Sequence, residues 1–317
     1  MAVSSSVKRV YSSSVFGVAV ILATMCAVMA VLTNKFLTET NIVSVVRQFS
    51  FISIMAIGQC MVIITGGIDL SVGSVFAFSS VISAMSLAAG APLAASLLVG
   101  AACGMAFGLV NGILITRVKL PPFISTLGIM SVARGLSYAV TSGFPVNIKS
   151  ADYAFLGQGQ IAGVPVPVLL LVALAAIASA FLGRTVLGRR IYALGGNEEA
   201  ARVSGVDIDR VKVIVYVLCG ALAAIAGIAT ASRLGVAQST AGMGYELDSI
   251  AAVIIGGASV KGGTGTISGT IIGASIMGVL RNALVLLSVS AYWQQAIIGF
   301  VIILAVSMDQ LRNMAKA

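Results

Sequence analysis

The chain has 317 residues, of which 59% are hydrophobic and only 9% are charged. Because a soluble domain carries about 25% charged residues, this composition excludes an ordinary water-soluble core and predicts an all-α, polytopic membrane protein. The net charge of +9 does not indicate a nucleic-acid-binding protein. The basic residues flank apolar segments, as the positive-inside rule requires.

The chain contains no histidine, and its four cysteines lie in apolar segments without a C-x-x-C pair. The missing histidine excludes histidine catalysis, histidine metal ligands and histidine pH sensing. The cysteine positions argue against a zinc site or a disulfide framework. We therefore expect no metal site and no cofactor bound by this chain.

The sequence divides into a serine-rich tail (1–14), a transmembrane domain (15–310) and a second tail (311–317). We expect the first tail to be disordered and both tails to be cytoplasmic. A segment between 142 and 165, rich in glycine and proline, is predicted to be an irregular surface loop. About ten apolar spans are predicted, at 15–33, 42–64, 71–89, 92–115, 123–141, 166–183, 211–231, 247–259, 267–287 and 292–308.

The eighth span is too short to cross a bilayer as a full helix. It is either a half-helix or a tilted helix that continues from Gly242. With the N-terminus inside, thirteen of the 19 basic residues fall in inner loops, and only Lys35, Lys149 and Arg233 fall in outer loops. This bias predicts cytoplasmic termini and an even number of spans. A bundle of six or eight helices with re-entrant segments has the same parity.

Two predicted spans carry glycine at every fourth position. This spacing places the glycines on one helix face, where a neighbouring backbone can approach closely. We expect both faces to be tight packing surfaces within the bundle. The two sets are Gly100, Gly104, Gly108 and Gly112, and Gly265, Gly269 and Gly273.

The sequence lacks the G-x-x-x-x-G-K-[ST] phosphate-binding loop, and the lysine of the glycine-rich run 256–266 has the wrong spacing for one. If ATP drives this protein, another subunit binds the nucleotide. None of the ten acidic residues lies at the centre of a predicted span, which argues against an ion-coupled transporter. Asp69 and Asp248 are predicted near opposite membrane faces, which argues against an intramembrane aspartyl protease.

A short polar segment between two apolar spans has the features of an isolated helix. Asn197 is a suitable N-cap, Glu198 and Glu199 suit the first turn, and Gly205 suits the end. The small alanines that follow can dock into a groove on a soluble partner. A solvated connecting loop is the alternative.

The run Glu199-Ala200-Ala201-x-x-x-Gly205 resembles the E-A-A-x-x-x-G signature of bacterial ABC-importer permeases. The resemblance covers residues 41–309, although the I-x-L-P tail that often follows the signature is absent. Further stretches resemble the ribose-type sugar permeases in particular, and they are 65–74, 188–215, 240–252 and 256–265.

This resemblance implies a cytoplasmic coupling loop at 184–211 whose helix is seated in a groove of an ATPase subunit. The implied coupling residues are Asn197, Glu198, Glu199, Ala200, Ala201, Arg202, Ser204 and Gly205. It also implies a turn, with a structural or a gating role, at the inner end of the second span. The residues of that turn are Gly66, Gly67, Asp69, Ser71 and Gly73, with Asp69 able to cap the third helix.

At the outer mouth the resemblance places Tyr245, Glu246 and Asp248, which either line the pore entrance or meet a binding protein. The outer cations Lys35, Lys149 and Arg233 are available to pair with acidic patches on that protein.

Several polar residues within the spans are candidates for the transport pathway. An arginine at the centre of a span costs at least about 2.5 kcal/mol, so each one has to snorkel, pair or face a wet cavity. Hydrogen bonding between helices is the structural alternative for the uncharged members. The candidates are Arg47, Gln59, Asn111, Arg134, Asn282 and Gln294, and Arg281 also falls within a span.

The sequence therefore predicts a permease subunit of a bacterial ABC importer, in the inner membrane, for a monosaccharide such as ribose. Its expected partners are a second permease copy, a cytoplasmic ATPase that carries ATP and magnesium, a periplasmic sugar-binding protein and the lipid bilayer. An ion-coupled secondary transporter and a membrane-embedded enzyme remain as alternatives.

Overall fold

The computed structural model describes residues 5–314, and this part of the chain is almost entirely helical. The helices are α1 (Ser5–Leu32), α2 (Glu39–Ile64), α3 (Val72–Ala88), α4 (Leu93–Thr116), α5 (Pro122–Thr141), α6 (Ala151–Gln158), α7 (Val166–Arg184), α8 (Val186–Gly196), α9 (Glu198–Val203), α10 (Ile208–Leu234), α11 (Tyr245–Ile255), α12 (Ile267–Leu286) and α13 (Ala291–Met314). The strands are β1 (Val146–Asn147), β2 (Gln160–Ile161), β3 (Val164–Pro165) and β4 (Val236–Ala237).

Each of the ten predicted spans coincides with a helix. Among the described residues, seven helices are long and apolar enough to cross a bilayer, and two shorter apolar helices lie at Val72–Ala88 and Tyr292–Leu304. These lengths identify a multi-pass membrane protein. The number of crossings and the side on which the termini lie remain predictions.

The first helix begins earlier than the sequence predicts. Because α1 starts at Ser5, residues 5–14 extend the helix, where a disordered tail was expected. At the other end α13 reaches Met314, so the first part of the predicted tail 311–317 is helical. The rest of both predicted tails lies outside the described residues.

Helix α2 forms the centre of the bundle. Every residue from Ser50 to Ile64 is buried, because α7, α10, α11 and α12 pack around this half of the helix. In a bilayer an apolar helix can face either lipid or protein, so packing against these four helices, and not apolar character, gives α2 its central position.

The glycine rows are packing surfaces, as predicted, except that Gly265 precedes α12 and lies in the loop before it. A Cβ atom added to Gly104 of α4 would overlap the carbonyl oxygen of Gly220 in α10, and one on Gly112 would lie 2.8 Å from the Cα of Val213. In α12, Gly273 approaches the backbone of α11 equally closely. The small residues therefore bring these helix pairs into backbone contact.

Two helices are shorter than a full span, and their N-terminal ends meet. Helix α3 has 17 residues and α11 has 11. Gly244, with φ +83°, stands immediately before α11, so this helix does not continue from Gly242. A Cβ atom on Gly73 would overlap both the Glu246 carboxylate and the Gly242 carbonyl oxygen. Paired half-helices of this kind form substrate sites in many transporters.

The segment between α5 and α7 is ordered rather than irregular, which corrects the prediction of a surface loop. It contains α6, the β2–β3 hairpin, and β1, which pairs antiparallel with β4. Tyr153 of α6 is fully buried, and its hydroxyl donates to Ser83 Oγ at 3.1 Å. Ser150 caps α6 locally by accepting from the Tyr153 amide at 3.3 Å, and long-range packing on α3 and α10 orders the segment.

Candidate coupling and gating site

The polar segment after α8 forms the short helix that the sequence predicts. Asn197 has extended backbone angles (φ −161°, ψ 105°), and its Oδ1 accepts a hydrogen bond from the Ala200 amide at 2.9 Å. The bond satisfies an amide that would otherwise lack a partner at the start of α9. Gly205, with φ +80°, ends the turn in the left-handed region. The predicted N-cap at Asn197 and the predicted helix end at Gly205 are both confirmed.

Helix α9 has one anchored face and one free face. Ala201 is only 5% exposed and packs into the main core, whereas Val203 is 82% exposed. Glu199, Ala200 and Arg202 are exposed beside it. A single exposed apolar residue is common on protein surfaces, so the free face of α9 has room for a partner but does not by itself identify one.

Glu198 ties α9 to the spanning helix that follows it. Its carboxylate lies 2.9 Å from Lys212 Nζ in α10 and 3.2 Å from Arg202 Nη2. The hydrogen bond from Lys212 lowers the pKa of Glu198, and the nearby charges of Lys212 and Arg202 add to the effect against a smaller cost of burial. The bond holds the N-terminal turn of α9 against the base of α10.

The turn between α2 and α3 is organised by Asp69, which is only 1% exposed. Its Oδ1 accepts from the Ser71 amide at 2.8 Å and from Ser71 Oγ at 2.6 Å, and Ser71 is the N-cap of α3. Asp69 bonds Ser71 and no amide inside α3, so it fixes the turn that precedes the helix and does not cap the helix, which corrects the prediction. A gating role stays a prediction.

Two predicted pathway residues hold this same turn. The amide of Gln59, oriented to match its neighbours, donates to the Asp69 carbonyl and accepts from the Asp69 amide, both at 3.1 Å. Asn111 Nδ2 donates to Ser71 Oγ at 3.0 Å, and Ser125 Oγ donates to Asn111 Oδ1 at 3.0 Å. Gln59 and Asn111 are fully buried within the protomer and act as interhelical hydrogen-bonding residues.

Asp248 occupies a different environment from the exposed outer mouth that the sequence predicts. The residue is 0% exposed, and its Oδ2 accepts from Arg281 Nη2 at 2.6 Å and from Arg281 Nε at 3.0 Å. Its neighbours are half-buried: Tyr245 packs edge-on against Phe76 at 5.6 Å, and Glu246 accepts from the Gly244 amide at 3.1 Å. Asp248 therefore pairs inside the bundle and does not present a carboxylate to a partner.

The other arginines within spans bind backbone carbonyls. Arg134 Nη1 donates to the carbonyl oxygens of Ser239 and, at 2.8 Å, Ala241. Arg47 Nη2 donates to the Gln158 carbonyl at 2.8 Å. These bonds anchor the loop before α11 and the end of α6.

The remaining predicted residues also have defined places. Asn282 and Asn41 exchange amide hydrogen bonds at 2.8 and 3.2 Å, and Gln294 Nε2 donates to the Val289 carbonyl at 2.8 Å. Any pathway role of these residues stays a prediction. Among the outer cations, Lys35 and Lys149 are exposed, whereas Arg233 is half-buried and donates to Ser44 Oγ at 3.2 Å.

Two residues of the coupling region were missed by the sequence analysis. Val203 lies inside the signature at a variable position, and its exposure appears only once Ala201 is seen to face the core. The helical period could have indicated this exposure, because it places Ala201 and Val203 on different faces of α9. Lys212 lies 14 positions from Glu198, and no sequence pattern pairs residues at that distance.

Comparison with known proteins agrees with this architecture. A family model described as branched-chain amino acid transport system / permease component matches residues 41–306. The ribose import permease protein RbsC of Bacillus subtilis (strain 168) is 43% identical over 288 residues, which cover 90% of this chain and 89% of the relative. The Escherichia coli (strain K12) RbsC is 43% identical over 296 residues, which cover 92% of each chain.

A more distant relative is named for another sugar. The D-allose transport system permease protein AlsC of Escherichia coli (strain K12) is 38% identical over 93% of this chain and 91% of its own. No solved structure matches the chain. With a matched family model over most of its length and relatives above 40% identity, the chain belongs to the ABC-importer permeases of the ribose type, a family of transport subunits.

Proposed function

We propose that the chain is the membrane subunit of an ATP-driven importer that carries a monosaccharide, with ribose the first candidate, across the bacterial inner membrane. Two copies form the pathway, an ATPase subunit binds ATP and magnesium inside, and a periplasmic binding protein delivers the sugar outside. The name of the family model mentions branched-chain amino acids, but relatives named for ribose, allose and arabinose are 36–43% identical to this chain. Those relatives favour a sugar.

The observation that supports this proposal most strongly is the geometry of α9. The helix is capped at Asn197, anchored by Ala201 and tied to α10 through Glu198, while Val203 stands free. A rigid helix with one free face transmits a push from a partner better than a flexible loop does. In the proposed cycle, ATP binding moves two such helices and shifts the bundle between outward-open and inward-open states.

The test is reconstitution of the permease with its ATPase and binding protein in proteoliposomes. The double variant Glu199→Lys/Gly205→Pro reverses a charge on the free face and places proline where φ is +80°. We expect this variant to insert normally, to lose sugar uptake and to lose control of ATP hydrolysis by the binding protein.

Asp152→Lys is the matched control, because it makes the same charge reversal at an exposed site in α6. We expect this control to insert normally and to keep wild-type sugar uptake and wild-type control of ATP hydrolysis. Normal uptake by the double variant, or uptake that survives ATP depletion and collapses with an ionophore, would contradict the proposal. Titration of the binding protein with ribose, allose and arabinose identifies the sugar.

A further inference from the structure

Three backbone segments meet at the end of α8, two residues before Asn197, the cap of α9. The end of α2 lies against the end of α8, and the loop from Gly256 to Thr266, which joins α11 to α12, closes over both. The Gly263 amide donates to the Ile64 carbonyl at 2.9 Å. This bond joins two segments that are almost 200 positions apart in the chain.

Glycine is required at this meeting point. A Cβ atom on Gly195 would overlap the Ile64 carbonyl oxygen and lie 2.5 Å from the Gly263 nitrogen. Gly262 has φ +89°, and a Cβ atom there would lie 2.9 Å from the Gly195 carbonyl oxygen and 3.0 Å from the Gly66 nitrogen. We call the contact of Ile64, Gly195, Gly262 and Gly263 the glycine junction.

A second bond ties α8 to the same loop. The Tyr192 hydroxyl donates to the Gly265 carbonyl at 2.8 Å, about one helical turn before Gly195. Helix α8 and the α11–α12 loop are therefore joined at two points and resist relative rotation.

Each member of the glycine junction leads to a functional element. Gly195 is followed two residues later by Asn197, the cap of α9. Ile64 leads into the turn that Asp69 fixes before α3, and the α11–α12 loop leads back to α11. The N-terminal ends of α3 and α11 meet at Gly73 and Glu246.

We propose that the glycine junction is the transmission point through which a displacement of α9 reaches the two half-helices, so that Gly195 and Gly263 are positioning residues for coupled transport. This inference rests on the proposed function. Direct backbone contacts suit the role, because no side chain stands between the segments to absorb a displacement by changing rotamer.

Gly195→Ala and Gly196→Ala provide a matched test. A Cβ atom on Gly196 meets nothing within 4 Å, although it lies one residue from the contact. The measurement is the number of ATP molecules hydrolysed per sugar imported by the reconstituted complex. We expect Gly195→Ala to raise this ratio about tenfold, which lies within the usual range of coupling effects. We expect Gly196→Ala to stay within about twofold of wild type.

A purely structural role for Gly195 would reduce the amount of folded complex and leave the ratio unchanged. If the Gly195→Ala variant does not fold, spin labels test the same claim in the wild-type background with its native cysteines replaced. Two labels are placed at exposed positions, Arg190 in α8 and Lys261 in the α11–α12 loop. The labelled subunit is diluted with unlabelled copies so that each complex carries one labelled subunit. A third label at Phe144, which is 74% exposed in the outer segment, serves as the reference.

We expect the Arg190–Lys261 distance to stay unchanged on ATP trapping, while both distances to Phe144 change together. A wild-type ratio for Gly195→Ala, or an Arg190–Lys261 distance that shifts, overturns the role of the glycine junction. A wild-type complex that neither binds an ATPase nor imports a sugar overturns the proposed function instead.

Discussion

Asp248 and Arg281 show how a buried charge is retained within this bundle. The carboxylate is fully buried and receives two hydrogen bonds from one guanidinium. Removing one partner of a buried pair leaves the other uncompensated and costs about 3 kcal/mol or more, whereas neutralising both costs much less. Each charge is therefore tolerated inside the bundle because the other compensates it.

We predict that Asp248→Asn lowers the free energy of unfolding in detergent by about 3 kcal/mol. The double variant Asp248→Asn/Arg281→Gln should recover at least half of that loss, since both charges are gone. A denaturant titration of the wild type, Asp248→Asn, Arg281→Gln and the double variant measures the coupling. A double variant less stable than the sum of its single variants would contradict this account of the pair.

Glu198 gives α9 a defined dependence on pH. Because Lys212 lowers its pKa in the folded protein, the stabilisation is fully present above the ordinary glutamate pKa of about 4.3. It is lost as the pH falls through the lowered value. The helix should therefore remain ordered at neutral pH and loosen only in acid.

A spin label at Val203 reports this transition. We predict that the label becomes more mobile only below about pH 4, and that Glu198→Gln is mobile to the same degree at every pH. Lys212→Met should behave like Glu198→Gln, since it removes the other partner of the 2.9 Å bond. Equal mobility of the wild type and Glu198→Gln at neutral pH would show that the bond does not order α9.

For single residues, the sequence predicted roles that depend on near neighbours in the chain, but it did not predict partners that are far apart in the chain. Asn197 and Gly205 act within four residues of their own positions, so the sequence shows their roles directly. Asp248 and Arg281 are 33 positions apart, and only the packing of two helices joins them. The sequence therefore placed Asp248 at the outer mouth.

Among the helices, the contact between α4 and α10 depends most on the absence of side chains. A methyl group on Gly104 would overlap the backbone of Gly220, and overpacking of this kind costs about 1–3 kcal/mol. We predict that Gly104→Ala lowers the melting temperature in detergent by several degrees. Gly17→Ala in α1, where a Cβ meets nothing within 4 Å, is the control and should melt like the wild type.

A wild-type melting temperature for Gly104→Ala would show that α4 and α10 do not pack by backbone contact.

The sequence predicted this packing surface because glycine spacing is a property of one helix. The order in the segment 142–165 was predictable only in part, since Ser150 is a local N-cap signal for α6 but the burial of Tyr153 against α3 depends on tertiary packing. The positions of the spanning helices thus followed from the lengths of the apolar segments. The contacts between helices and the burial of α6 depended on tertiary packing.

For the whole molecule, the predicted function depends on which surface faces the ATPase. The biased distribution of basic residues predicts that α9 and the glycine junction lie on the cytoplasmic side and that the exposed Lys35 and Lys149 lie outside. The pathway candidates form hydrogen bonds within the protomer, which shows their structural roles, and their roles in transport remain predictions.

The most direct test of the central claim is photo-crosslinking in the intact transporter. A photoreactive residue at Val203, on the free face of α9, should form an adduct with the ATPase subunit, and the same residue at Phe144 should not. The yield at Val203 should change when ATP is trapped. An assembled, active transporter with no ATPase adduct at Val203, or with equal adducts at both positions, would contradict the assignment of α9 as the coupling helix.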